Sequence, residues 1–195
     1  AYALCLANKA KMVLGIDVEK GRLKIAKSKS KGKKVNFQLF NGLDIPFDDS
    51  YFDIVFMNEV IEHVEDENKI LSEIRRVLKN NGELIIYAPN RNFPLEGHGM
   101  KLGNIKLNFP IPFLPWLPFK FHKYLFRART YSKKRLLHLL LENKFKIIAI
   151  DYLYPPFDQL NNYFKLPLRN ISEILEKSFL KKGGMSIMVI ANNQK

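Results

Sequence analysis

Short apolar runs alternate with helical patterns over the first 90 residues. Lys11 to Ile16 (KMVLGI) predicts a strand ending at Asp17, and Glu19 to Lys29 predicts a helix. Val35 to Phe40 predicts a second strand. Phe52 to Met57 (FDIVFM) is apolar enough for a strand buried on both faces. From Glu67 to Lys79, Ile70, Leu71, Ile74, Val77 and Leu78 recur at helical spacing, and Asn81-Gly82 is the expected stop. Glu83 to Ala88 (ELIIYA) predicts another buried strand. Strands alternating with helices imply crossover connections, and so a parallel sheet in an α/β fold.

The pattern breaks between residues 90 and 131. Pro94, Pro110, Pro112, Pro115 and Pro118 forbid long regular elements there. It resumes with Ser132 as a helix cap and an expected apolar face of Leu136, Leu137, Leu140 and Leu141. Phe145 to Leu153 predicts a strand, Ile171, Ile174, Leu175 and Phe179 a late helix, and Met185 to Ala191 a last strand. Two strands joined by a long excursion fit an antiparallel pair that closes the sheet. Three parts follow: residues 1–90, a cap or insert over 91–131, and a completing segment over 132–195.

Composition sharpens this picture at two points. One cysteine, Cys5, excludes a disulfide framework and a cysteine zinc site. The net charge of +13 is concentrated in one half: residues 1–97 hold 15 Lys+Arg against 14 Asp+Glu, and residues 98–195 hold 17 against 5. Between Glu96 and Glu142 lie nine Lys or Arg and no acid, and eight aromatics fall between Phe109 and Tyr131. A basic bias confined to one half implies a basic surface with a role. Proline recurs too often in this insert for a membrane-spanning helix. A lid packed on the domain, an interfacial patch on anionic lipid and a single-strand nucleic-acid platform are the three readings. Prolines and aliphatics make it greasier than a base-stacking surface.

Three constellations carry candidate chemistry. Asp17 ends a parallel strand just before a helix, the edge where open α/β sheets bind ligands; it can accept both ribose hydroxyls of a nucleotide or cap the helix. Asn41-Gly42-Leu43-Asp44 follows the next strand and suits either the edge of an adenine or an ordinary turn. Asn58-Glu59-Val60-Ile61-Glu62-His63 follows FDIVFM. Its Glu59, Glu62 and His63 suit helix capping and bonds across a cleft better than metal ligation, and no metal is expected.

In this order and spacing, GIDVEK, FNGLDIPFDDSYFDIVFMNEVIEHVED and EIRRVLKNNGELIIYAPN resemble the class I S-adenosylmethionine-dependent methyltransferases, in their small-molecule, ubiquinone-biosynthesis-like branch, over Lys11 to Asn90. The resemblance implies a doubly wound, mostly parallel sheet with an antiparallel C-terminal strand pair, and S-adenosylmethionine as cofactor. It implies that Asp17 holds the ribose, that Val18 packs on the adenine, that Asn41, Gly42 and Leu43 line it, and that Asn58 and Glu59 approach the methionine end. Asn41 stands where the family usually has Asp; an amide still accepts a hydrogen bond. The family's first strand and G-x-G-x-G loop precede this region and do not occur here. Ala1 to Ala10 reads as the end of a helix, so the expectation is a chain that starts inside its domain and, in this form, binds the cofactor poorly.

The acceptor side is expected after ELIIYA. His98 is the candidate base with Glu96 as its orienter, and Arg91, His98 and Trp116 are the candidate substrate contacts. His122 and His138 are expected to be surface or packing residues. The expected function is methyl transfer to a small or lipid-linked acceptor, in the cytoplasm and at the inner face of a membrane. Its rivals are an RNA methyltransferase using the basic half and a non-catalytic membrane or partner binding module.

Overall fold

The computed structural model describes residues 2–96, 100–102, 105–107, 111–112, 128–154, 175 and 177–195, with the backbone alone described over the strands between 95 and 112. The chain divides into two compact units, Ala1–Asp48 and Asp49–Lys195, a boundary that falls within the stretch 1–90.

The first unit is a single crossover. Helix α1 (Tyr2–Leu6) precedes strand β1 (Val13–Asp17), helix α2 (Lys20–Lys29) and strand β2 (Val35–Leu39). β1 and β2 pair in parallel, from Val13 opposite Val35 to Asp17 opposite Leu39. Gly15 makes that pairing close: a Cβ there would come within 2.6 Å of the Phe37 ring. The buried apolar residues are Leu23, Val35 and Ile45, a thin core for one unit.

The second unit holds strand β3 (Phe52–Asn58), helix α3 (Glu67–Val77) and strand β4 (Leu78–Pro89). Four short strands follow: β5 (Leu95–Glu96), β6 (Met100–Leu102), β7 (Ile105–Leu107) and β8 (Ile111–Pro112). Helix α4 (Lys133–Glu142), strand β9 (Phe145–Leu153), a 3-10 turn (Phe179–Gly183) and strand β10 (Ser186–Asn193) complete it. The main sheet has the order β3-β4-β10-β9; β3 and β4 are parallel, and β10 is antiparallel to both β4 and β9. The closing antiparallel pair is therefore present.

α3 forms where its sequence provides a start and one apolar face. The Asp66 carboxylate accepts the amides of Asn68 and Lys69, while Ile70, Leu71, Ile74 and Val77 are buried. Burying each such side chain contributes about 1.5–3 kcal/mol relative to exposure. They pack toward β4, where Leu84, Ile86 and Ala88 lie beside Ala191, Val189 and Ile187 of β10 on one fully buried face. In α4 the Ser132 hydroxyl accepts the Arg135 amide, as its position before the helix predicts.

Four expectations are corrected. FDIVFM is not buried on both faces: Met57 is buried, but Asp53 and Ile54 are exposed, because β3 pairs on one side only among the described residues. ELIIYA alternates rather than running buried, since only one face of β4 lies under the helices. α3 ends at Val77, and Asn81-Gly82 sits inside β4 instead, with Asn81 in the left-handed region (φ 60°) where the register with β3 slips. On α4 the buried set is Leu136, Leu139 and Leu140, and Leu141 faces outward. The late helix falls largely outside the described residues.

Candidate functional site

The first unit brings the adenosine-side residues together. Asp17 closes β1; its carbonyl accepts the Phe40 amide at 2.9 Å, which draws the ends of β1 and β2 side by side. Its Oδ1 accepts the Glu19 amide at 2.8 Å, so the side chain turns the chain into α2. Glu19 itself stands at the cap position without a side-chain cap bond. Beyond β2, Asn41 Oδ1 accepts the amides of Leu43 and Asp44 at 2.8 and 2.9 Å, and its Nδ2 donates to Asp44 Oδ2 at 3.4 Å. The loop is thus shaped by its own first side chain. Gly42 adopts φ 88°, and a Cβ on it would stand 3.7 Å from Val18. A bare glycine therefore lies next to Val18, which is 63% exposed, with Leu43 exposed beside it. An apolar side chain left in water beside a Cβ-free backbone is a surface suited to the flat face of a ring.

In the second unit Asn58 ends β3, half-buried and opposite Tyr87. Glu59 follows in the left-handed region at φ 50°, a backbone state that costs a non-glycine residue energy and is held by its surroundings. The Glu59 amide donates to the Tyr87 carbonyl at 3.1 Å, and its Oε1 accepts the Ser186 hydroxyl at 2.6 Å. Glu62 is buried, and its Oε1 is 3.7 Å from Nε2 of His63, which is half-exposed. Among the described residues no group of three or more His, Cys, Asp or Glu is arranged to hold a metal ion.

Past β4, Asn90 is buried; its Nδ2 donates to the carbonyls of Lys182 and Gly184 at 3.0 and 2.7 Å. The half-buried Arg91 donates its amide to the Tyr131 carbonyl at 2.9 Å. His98 and Trp116 lie outside the described residues, as do His122 and the Glu96 side chain; the Glu96 backbone pairs with Ile111. His138 is on the surface, 3.3 Å from Glu142.

Sequence reasoning missed a buried group at the same edge. Tyr131 is fully buried; its single hydroxyl proton is shared between the Ile61 carbonyl, at 3.2 Å, and Glu67 Oε1. Arg135 Nη2 contacts both Glu67 oxygens, and its guanidinium lies 5.0 Å from the Tyr131 ring centre. Burial first, and the Glu67 carboxylate second, push the Tyr131 hydroxyl well above the usual phenol range, so it stays a neutral donor. Its only sequence signal is its place immediately before the Ser132 cap.

Residues 1–86 match the family model described as a methyltransferase domain. The chain is 38% identical over 79 residues to the ubiquinone/menaquinone biosynthesis C-methyltransferase of Citrifermentans bemidjiense, covering 38% of this chain and 33% of that protein. It is 33% identical over 78 residues to norajmaline N-methyltransferase of Rauvolfia serpentina, covering 40% of this chain and 27% of that one. These matches span about a third of each relative's length. Among solved structures, an S-adenosylmethionine-dependent methyltransferase of Methanosarcina mazei aligns with a TM-score of 0.65 at 20% identity, over 98% of this chain and 86% of that one. A 4+2 cyclase aligns with a TM-score of 0.64 at 15% identity, over 98% and 70%, so likeness of fold does not by itself establish the reaction. Residues 1–86 are thus similar in sequence to a methyltransferase domain, and nearly the whole chain shares the fold of S-adenosylmethionine-dependent methyltransferases, whose cofactor is S-adenosylmethionine.

Proposed function

We propose that the protein transfers a methyl group from S-adenosylmethionine to a small or lipid-linked acceptor. The observation that carries this reading is the convergence of Asp17, Val18 and the Asn41-Gly42-Leu43 loop at the carboxyl ends of two parallel strands. The donor set fits the adenosine half: a carboxylate for two hydroxyls, an exposed apolar wall and a Cβ-free backbone. Asp17 would hold the ribose; Val18, Asn41, Gly42 and Leu43 the adenine; Asn58 and Glu59 the methionine end. When bound, the cofactor supplies an electrophilic methyl group. Positioning then provides much of the acceleration, and the chain needs no nucleophile of its own.

On the acceptor side, we assign His98 to take the proton of an oxygen or nitrogen acceptor, with Glu96 orienting it and Arg91 and Trp116 contacting the substrate. Both named relatives act, by their names, on small molecules, which supports a small acceptor for this chain. The test uses the protein as its gene encodes it, with methyl-labelled S-adenosylmethionine and a panel of demethylated quinols, amines and anionic lipids. Label in an extractable small product is the expected result. Label in RNA alone, or cofactor binding without transfer to any class, overturns the reading.

We place the protein in the cytoplasm, on the inner face of a membrane. Nine Lys or Arg without an acid between Glu96 and Glu142, interleaved with aromatics, support this. Each basic residue near an anionic surface contributes about 1 kcal/mol. Trp116 is the single tryptophan, so its fluorescence reports locally. Vesicles rich in anionic lipid are expected to shift its emission to the blue at low salt, and high salt should weaken the shift. Phe113→Ala should reduce binding by removing apolar area. Emission indifferent to anionic vesicles would make the insert an internal lid.

A further inference from the structure

We propose that Tyr131 is a positioning residue that fastens the loop after β3 to the exit of β4, so that the two form one rigid rim on the acceptor side. The inference rests on the methyl-transfer reading for its catalytic consequence, but not for its geometry.

Both loops leave the carboxyl ends of parallel neighbours, β3 and β4, and residues 128–131 run beside them. That short segment touches both. The Tyr131 amide donates to the Pro89 carbonyl at 2.9 Å, and the Tyr131 carbonyl accepts the Arg91 amide at 2.9 Å. This makes a parallel bridge between Asn90 and Tyr131. On its other side the segment holds four positions of the β3 loop, Ile61, Glu62, Val64 and Glu65, by their carbonyls. The Tyr131 hydroxyl takes Ile61, and the Arg129 amide takes Glu62 at 3.2 Å. The Arg129 guanidinium takes Val64 and, at 3.1 Å, Glu65.

Carbonyls are the right target for this purpose. A bond to a carbonyl fixes the backbone path whatever the side chains are, so the rim's shape becomes independent of the residues that face the ligand. Glu67 extends the fastening into the first turn of α3, where Arg135 of α4 grips its carboxylate. The β4 exit is held from the opposite side by buried Asn90, whose oxygen also accepts the Asn92 amide at 3.0 Å. Arg91 is thus fixed at its amide while its side chain remains half-buried, and Glu59 enters the loop in a left-handed state that needs firm neighbours. In-line transfer depends on alignment at the scale of an ångström, which a rim of two independent loops would not provide.

Tyr131→Phe tests this. It removes the hydroxyl but keeps the ring and both backbone bonds. Hydrogen exchange on the gene-encoded protein should show the outer β3 loop, residues 61–65, losing protection by at least tenfold, with Glu59, α3 and the centre of β4 unchanged. Unchanged protection in the loop, or a uniform loss across the sheet, overturns the proposal. With the acceptor that the methyl-transfer panel yields, acceptor KM should rise at least fivefold while S-adenosylhomocysteine affinity stays within twofold. An equal loss in both would mark Tyr131 as a general stabilising residue and also overturn it. Glu67→Gln, which still accepts from the hydroxyl, should retain loop protection that Glu67→Ala loses. Absence of any transfer by the wild type would sink the methyl-transfer reading while leaving the exchange measurement to decide this one.

Discussion

Asp17→Ala is expected to weaken S-adenosylmethionine or S-adenosylhomocysteine by about 1.5–3 kcal/mol, the range for hydrogen bonds to a charged group. That is roughly a ten- to hundredfold loss of affinity. The residue has two oxygens with different duties. Oδ1 is occupied by the Glu19 amide, while Oδ2 makes no hydrogen bond among the described residues. The substitution therefore also loosens the entry to α2, at a cost of about 1 kcal/mol. Asp17→Asn separates the two effects. Its amide oxygen can still accept from Glu19, so the entry turn survives, but the second group now donates where a ribose hydroxyl must donate too. Affinity should fall in both variants, whereas stability should fall mainly in the first. Calorimetry on the gene-encoded protein measures the affinity, and circular dichroism checks the fold. Unchanged affinity in a folded Asp17→Ala protein would remove the ribose assignment, and the observation that carries the proposed function would go with it.

What could be read ahead of the structure followed the range of the interactions involved. Periodicity located β1, α2, β2, β3, α3, β4, α4, β9 and β10 because each is decided within a few residues. It overstated burial on β3 and β4, because apolarity alone does not say how many faces are covered; that depends on which helices pack where. The stop at Asn81-Gly82 failed for a related reason. The junction of α3 and β4 is held by Asn193, 114 to 118 residues away, through the carbonyls of Arg75, Leu78 and Lys79, and no local signal shows such a partner. Asp17 and the Asn41 loop were legible because strand ends and turn residues announce themselves. Tyr131, Asn90 and Ser186 were not. Each acts through a backbone or a carboxylate from 64 to 127 residues distant, and in the sequence each looks like an ordinary helix-entry or strand-end residue.

Asn193→Leu should destabilise the protein by about 2–4 kcal/mol, the largest loss we expect from a single polar substitution outside the ligand site. Asn193 is fully buried at the end of β10, opposite Phe145 of β9. Its Nδ2 donates to the carbonyls of Arg75, Leu78 and Lys79 at 3.0, 3.0 and 3.1 Å. Those carbonyls belong to the last turn of α3 and the start of β4, where a helix end leaves acceptors without partners of its own. Leucine fills nearly the same volume, so little of the loss comes from a cavity. It comes from the desolvated carbonyls left behind, each worth about 1–3 kcal/mol when fully buried and unpaired. Asn193→Asp should be worse at neutral pH, since it aims a buried anion at three carbonyl oxygens. The introduced carboxyl would then hold its proton more tightly when folded than unfolded, so stability should fall as pH rises and recover partly toward pH 4. Urea unfolding at pH 7 and pH 4 measures both changes, through the midpoint at constant slope. If Asn193→Leu unfolds within about 0.5 kcal/mol of the wild type, these three bonds do not hold the junction of α3 and β4.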